Sequence, residues 1–299
     1  MPATPELGMD QPYYDWSPIA TRTPLRWPKG ARVAVCAVVN LEYFEMAPPA
    51  GAYSPPGLRP GPFPDVATFS RRDYGSRVGV FRVLEALERH GIPAVVAVDA
   101  KTAEHYSELV HLCQRPGWEI IAHGISVNRL ITSKMNEAEE RDYIRSAIGA
   151  VAQCTGARPQ GWLGPEYGES SRTPALLAAE GIRYVMDWPN DEQPYSMNVP
   201  TGTMVSLPLM LELDDVYAHW QRRVPIQRWG RMVREAFDTL YEDGADNGRL
   251  LGLNLHPWLI GQPYRIAELE AVLSHIDTQP LVWKATGTAI VEWYLQQPR

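Results

Sequence analysis

Three apolar runs along this chain each stop on a titratable side chain. Residues 33–42 read Val-Ala-Val-Cys-Ala-Val-Val-Asn-Leu-Glu, residues 119–128 read Glu-Ile-Ile-Ala-His-Gly-Ile-Ser-Val-Asn, and residues 250–257 read Leu-Leu-Gly-Leu-Asn-Leu-His-Pro. A short apolar run bounded by turn formers predicts a buried strand. Gly124 after His123 lets the backbone turn without a Cβ clash, and Pro257 after His256 closes its strand. A single histidine at such a place is more often a hydrogen-bonded core residue than a functional one. Three strands ending on Glu42, His123 and His256 instead predict a shared mouth where these groups meet, and hence a catalytic site.

The pattern predicts further strands at 94–98, 160–163, 182–186, 204–209 and 281–284, with 211–217 as an optional continuation of the fourth of these. Helical spacing marks 79–90, 103–113, 136–155, 172–180, 228–243, 266–277 and 289–295; Asn136 is placed to cap the third helix and Gly156 to end it. Strands alternating with helices imply right-handed βαβ units and a parallel sheet, and seven or eight strands fit a closed or distorted barrel better than an open sheet. Prolines at 2, 5, 12, 18, 24 and 28 leave residues 1–30 as an irregular arm, and no boundary divides residues 31–299, which read as one barrel domain. Residues 46–65 form a Pro- and Gly-rich loop that leaves the Glu42 strand end, where a loop of this length serves as a lid or wall.

A net charge of −7 without a basic run disfavours nucleic acid and anionic membranes as partners. No apolar stretch reaches the length of a membrane span, and the first thirty residues lack a secretory pattern, so the expected location is cytoplasmic. The three cysteines are odd in number and widely spaced, so disulfides are not expected. Ten tryptophans can stack on sugar rings or fill a core or an oligomer interface, and packing is the favoured use.

The order of strand-end motifs resembles the polysaccharide deacetylase family with NodB homology, over roughly residues 32–289. That resemblance implies a distorted (β/α)₇-type barrel, a metal held by an aspartate and a His-Ser/Thr-x-x-His pair, and a late histidine acting as general acid. This chain departs from the pattern. Its first motif is Val39-Asn40-Leu41-Glu42, and Val127 stands where the second metal histidine belongs, with Asn128 a poor substitute. A catalytic zinc site wants three protein ligands, and only Glu42 and His123 remain. The expected cofactor is therefore none, with zinc at Glu42 and His123 as the weaker alternative.

These departures are similar to the metal-independent allantoinase branch. So are the runs 74–79 around Arg77, 155–162 ending on Trp162, Asp187 with 190–195, and 256–265. The branch implies a small cyclic amide or imide, allantoin-like or hydantoin-like, opened by water, and a homo-oligomer. The third motif, Gly164-Pro165-Glu166-Tyr167-Gly168, lacks the family's arginine. Glu166 is either a solvated loop acid or a pocket wall that favours N–H donors over anions.

The residue types permit ring opening with Glu42 as base, its pKa raised by burial, and His256 as proton donor. His123 would hold water or polarise the carbonyl, and an Asn40 N–H would face the oxyanion. Arg77, Trp162, Glu166, Asp187, Trp188, Asn190 and Asp191 complete the expected substrate contacts, although residues 187–191 also read as a plain turn. Asp214 and Asp215 follow an apolar run without a clear role. Two other readings stay open: a metal-dependent sugar N- or O-deacetylase, and a barrel that only binds a sugar or ring.

Overall fold

Strict alternation along the first strand decides which side chains meet. In the computed structural model, which describes residues 11–54 and 64–297, β1 (Val33–Leu41) is buried along its whole length. Val33, Val35, Ala37, Val39 and Leu41 pack outward against helices. Ala34, Cys36 and Val38 pack inward with Ile121, Leu163, Tyr184 and Leu207 from neighbouring strands. Each fully buried valine or leucine contributes about 1.5–3 kcal/mol of apolar burial, so a one-residue slip of this strand is strongly disfavoured.

The other strands are β2 (Ala94–Val98), β3 (Glu119–Ala122), β4 (Gly161–Trp162), β5 (Tyr184–Val185), β6 (Tyr195–Met197), β7 (Met204–Ser206), β8 (Arg249–Leu255) and β9 (Val282–Lys284). Among the described residues they make one sheet in the order β6-β7-β5-β4-β3-β2-β1-β8, and β9 also pairs β1. All pairings are parallel except β6 with β7. The curled sheet with helices outside it is the distorted barrel of NodB type that the strand pattern and the resemblance predict. The gap between β8 and the β6 end of the sheet is bridged by the Leu250 N–H donating to the carbonyl of Glu192, just before β6, at 2.8 Å. Residues 11–30 have no regular structure beyond short turns, yet Leu25 and Trp27 are buried, and the Trp27 indole donates to the Arg249 carbonyl at 2.7 Å. They plug the barrel at the end opposite the three strand-end groups.

Three elements differ from the expectation. Residues 66–79, read as the tail of a loop, form α1 (Val66–Tyr74) and one wide helical turn that runs straight into α2 (Val80–Arg89). Asp65 caps α1 by accepting from the Thr68 N–H at 3.0 Å. The optional strand at 211–217 is instead a short turn, Leu211–Leu213, followed by Asp214 and Asp215. The helix expected at 103–113 breaks at Tyr106 into α3 (Ala100–His105) and α4 (Ser107–Cys113), because buried Asp99 starts the first of them a turn early. The remaining helices are α5 (Glu137–Thr155), with the expected Asn136 cap and Gly156 terminus, α6 (Thr173–Ala179), α7 (Ile226–Asp243), α8 (Pro257–Ile260), α9 (Ile266–Asp277) and α10 (Gly287–Leu295). Among the described residues no helix is long and apolar enough to cross a membrane.

Helix α1 reaches the strand ends because two glycines let it seat on α8. A Cβ on Gly75 would lie 2.7 Å from the Trp258 nitrogen, and one on Gly79 would lie 2.1 Å from the Pro257 carbonyl oxygen. Both obstacles are backbone and cannot rotate away. Gly79→Ala should therefore destabilise the protein by about 1–3 kcal/mol in chemical denaturation, and an unchanged midpoint would show that the α1–α8 contact is loose.

Candidate active site

The inward-facing positions of β1 continue past its buried core to Asn40 and Glu42. On β3 the inward set runs through Ile121 to His123, and on β8 through Leu250 and Gly252 to Asn254 and His256. Period two thus carries five polar side chains to one mouth. They line a cavity of about 190 Å³, together with Glu166, Tyr167, Pro189, Asp214 and Tyr217. Gly124 makes the turn after His123 with φ +67°, and any Cβ there would strike the Tyr143 hydroxyl at 2.4 Å. That loop is tied to the one after β1 by Asn128, whose Oδ1 accepts from the Glu45 N–H at 2.7 Å, while the Asn128 carbonyl accepts from the Tyr53 N–H at 2.9 Å.

Glu42 is the electrostatic centre. Its Oε2 lies 2.9 Å from Arg72 Nη1, and its Oε1 lies 3.6 Å from His123 Nε2 and 3.8 Å from His256 Nε2. Burial alone would raise the carboxyl pKa, but His256, His123 and Arg72 outweigh it and hold it at about 2. The expected raised pKa, and with it an efficient base at Glu42, is corrected by these three partners. Burial would likewise discharge His256, yet Asp215, Asp214 and Glu42 lift its pKa to about 10. Asp215 Oδ1 holds His256 Nδ1 at 2.6 Å and its Oδ2 accepts from the His256 backbone N–H at 3.0 Å. His123 Nδ1 donates to the Leu163 carbonyl at 2.6 Å, which leaves a buried Nε2 without a hydrogen-bond partner among the described residues.

Hydrogen-bond direction fixes the amides. Asp214 Oδ2 accepts from Asn254 Nδ2 at 2.7 Å and from the Tyr167 hydroxyl at 2.8 Å. Asn254 must then turn Oδ1 toward Asn40 Nδ2, 2.6 Å away, which also donates to the Leu255 carbonyl at 3.1 Å. Asn40 therefore spends its N–H groups inside the wall and leaves its buried Oδ1 without a hydrogen-bond partner among the described residues. The oxyanion role expected for Asn40 is reversed: it presents an acceptor. The third motif bends sharply, with left-handed φ of 53° at Glu166 and 58° at Tyr167, a strained pair of the kind found at functional sites. Burial first, and then the Glu42 charge, raise the Glu166 pKa to about 7.

Several expected contacts fall elsewhere. Arg77 is 75% exposed and faces Asp73, because the helix turns it outward. Trp162 is fully buried on the outward face of β4, since it alternates with the inward Gly161 and Leu163. Trp188 packs against Tyr13 and Tyr14 and donates to Glu169 at 3.1 Å. Asn190 accepts from the Tyr195 hydroxyl at 2.8 Å, and Asp191 pairs with Arg22 of the arm. Asp187 lies beneath the cavity rather than in its wall; it accepts from the Gly164 N–H at 2.7 Å, and burial raises its pKa to about 6. The expected lid falls partly at residues 55–63, which lie outside the described residues. The groups that sequence reasoning missed are Arg72, Asp99, Asp214 and Asp215. Asp99, at the end of β2, holds the Tyr43 N–H at 2.6 Å and so fixes the turn after Glu42. Two acids closing an apolar run were the available signal for Asp214 and Asp215; Arg72 had none.

Residues 67–185 match the family model described as polysaccharide deacetylase. The chain carries a polysaccharide deacetylase domain. The solved structure of PuuE allantoinase is similar at 28% identity with a TM-score of 0.81, covering 93% of this chain and 96% of that one. The crystal structure of a probable polysaccharide deacetylase from Pseudomonas aeruginosa PAO1 is similar at 28% identity and a TM-score of 0.79, covering 91% of this chain and 94% of that one. The Helicobacter pylori peptidoglycan deacetylase is 22% identical over 76% of this chain and 87% of its own length.

The residues present do not fit the metal centre that the deacetylase pattern implies. Val127 is fully buried and offers no donor, and Asn128 is spent on the loop. Glu42 already faces Arg72, and His256, the nitrogen near it besides His123 among the described residues, carries a proton at neutral pH. The other cluster of ligand types, Asp214, Asp215 and His256, is occupied by its own hydrogen bonds.

Linkage gives the site a pH signature. His256 is raised from 6.5 to about 10, so its contribution to folding is complete below about 6.5 and is lost as pH rises through about 10. Glu42 is lowered from 4.5 to about 2, so its contribution is present above 4.5 and is lost as pH falls toward 2. In nitrogen-detected NMR the His256 ring should stay charged at pH 8, and Asp215→Asn should lower its pKa by on the order of 1–3 units. A wild-type ring that is neutral at pH 8 would refute this assignment.

Proposed function

We propose that this deacetylase-type domain is a hydrolase that opens the C–N bond of a small, uncharged cyclic amide or imide, without a metal. The observation that carries the reading is the pairing of a charged, buried proton donor, His256 on Asp215, with a cavity of about 190 Å³. That volume is below the roughly 300–1,000 Å³ of pockets that enclose drug-sized ligands. Among the described residues no tryptophan lines it, which disfavours a wall built to stack on a sugar chain. Unpartnered Asn40 Oδ1 and the acids Glu166 and Asp214 favour a ring that donates N–H groups and disfavour a carboxylate. The similarity to PuuE allantoinase supports the same substrate class.

In this mechanism Glu166, with a pKa of about 7, takes a proton from the attacking water while the His123 Nε2 lone pair orients it. The water oxygen bonds to the carbonyl carbon, and the charged His256 ring favours the negative charge that develops on the carbonyl oxygen. As the C–N bond breaks, His256 Nε2 gives its proton to the leaving nitrogen. Solvent returns the proton from Glu166 to His256, and the products are a carboxylic acid and a new N–H. Glu42 acts as the fixed charge that holds His256 protonated rather than as the base. The P. aeruginosa similarity favours a second reading, a sugar deacetylase, which would need a metal ligand set that Val127 interrupts.

The deciding measurement is turnover of a panel of hydantoins, imides and allantoin against N-acetylated sugars, each with and without chelator. The rings should turn over and the chelator should change nothing; activity on acetylated sugars alone, restored by added zinc, would establish the second reading. On the best ring, turnover should rise as pH passes about 7, where Glu166 ionises, and fall near 10, where His256 loses its proton. His256→Ala should cost roughly 10²–10⁴ in rate, and Glu166→Gln should abolish the lower limb. His275→Ala, whose ring sits on Asp238 of α7 at 2.6 Å, serves as the neutral control.

A further inference from the structure

The domain's family pattern puts a cation at the centre of the site, and this chain puts one there by another route. Arg72 reaches Glu42 from α1, with its side chain only 2% exposed and that of Glu42 only 5%. Its guanidinium lies over the Trp258 ring at 4.6 Å and near Phe44 at 5.9 Å. Trp258 is two residues past His256, so the element that carries the proton donor also carries the platform for the arginine. Gly75 and Gly79 allow the close seating of α1 on α8 that this needs. The third motif, Gly164-Pro165-Glu166-Tyr167-Gly168, lacks the arginine of the deacetylase pattern, and the guanidinium on Glu42 comes from a different part of the chain.

We propose that Arg72 is the resident cation of the site: its guanidinium, fixed against Glu42, takes the electrostatic place of a divalent ion and withholds the carboxylate from metals. The inference rests on the metal-independent reading above and names the residue responsible for it. A planar guanidinium suits a buried carboxylate because it satisfies one oxygen with a charge-assisted hydrogen bond and is less strongly hydrated than an ammonium. Arg72 occupies Oε2 and leaves Oε1 to face His123 and His256. A metal approaching Oε1 meets the charges of Arg72 and His256, and among the described residues His123 Nε2 is the uncommitted donor beside it. Arg72 is thus a positioning residue: it acts through Glu42 and touches no reacting atom.

The test needs no substrate. Cobalt(II) is titrated into wild-type protein and into Arg72→Met, followed by calorimetry and by the visible absorption of the ion. Arg72→Met keeps an apolar stem on Trp258 and removes the charge, so cobalt should bind at least about tenfold more tightly than to wild type. Adding His123→Ala should abolish the gain, and Arg72→Lys, which keeps a cation, should behave as wild type. Arg72→Gln carries the same comparison should Arg72→Met not fold, which circular dichroism reports. Equal cobalt affinity of wild type and a folded neutral variant overturns the proposal, as does a gain that survives His123→Ala. Because ring turnover is measured separately, failure here leaves the ring-opening reading standing, and failure of the ring panel leaves this result intact.

Discussion

Glu42 brings a negative charge to a place with almost no access to water, and a carboxylate left alone there would cost several kcal/mol. Arg72, His123 and His256 surround it, and each is held by a different part of the fold: a helix seated on two glycines, a strand end followed by a left-handed turn, and a strand end backed by two aspartates. Breaking any one pair would strand the others. This mutual dependence explains why the site reads as a unit although its members lie 214 positions apart, from Glu42 to His256.

The same charge sets the chemistry. A carboxylate held at about 2 is a poor base, so the proposed reaction gives proton uptake to a group outside the cluster, Glu166, which lies in the cavity wall with a pKa raised to about 7. Its strained backbone and that of Tyr167 fit a role in which orientation matters more than local stability. His256, the proposed proton donor, is charged for the reason that Glu42 is: opposite charges stabilise one another where water cannot. Glu166 is raised to about 7 and His256 to about 10, so between those pH values the carboxylate is free to take a proton while the ring still holds one to give.

The alternation of apolar positions determined much of this by itself. Because side chains on a strand point to opposite faces in turn, the inward set that buries Ala34, Cys36 and Val38 also carries Asn40 and Glu42 to the mouth, and the same holds for His123, Asn254 and His256. The helix cap at Asn136, its end at Gly156 and the irregular arm follow from equally local chemistry. Tertiary structure decided the rest. Arg72 sits in a stretch that reads as loop, and only the fit of Gly75 and Gly79 against α8 brings its helix to Glu42. Asp214 and Asp215 acquire meaning from the strand opposite, which places His256 and Asn254 against them. Trp162 faces away from the cavity because of its parity on β4, and Asn40 offers an acceptor because Asp214, far along the chain, fixes the direction of every hydrogen bond between them. Local sequence sets which residues share a strand face, whereas which faces and loops meet depends on packing between distant segments, and so do the partner, charge and role of each side chain.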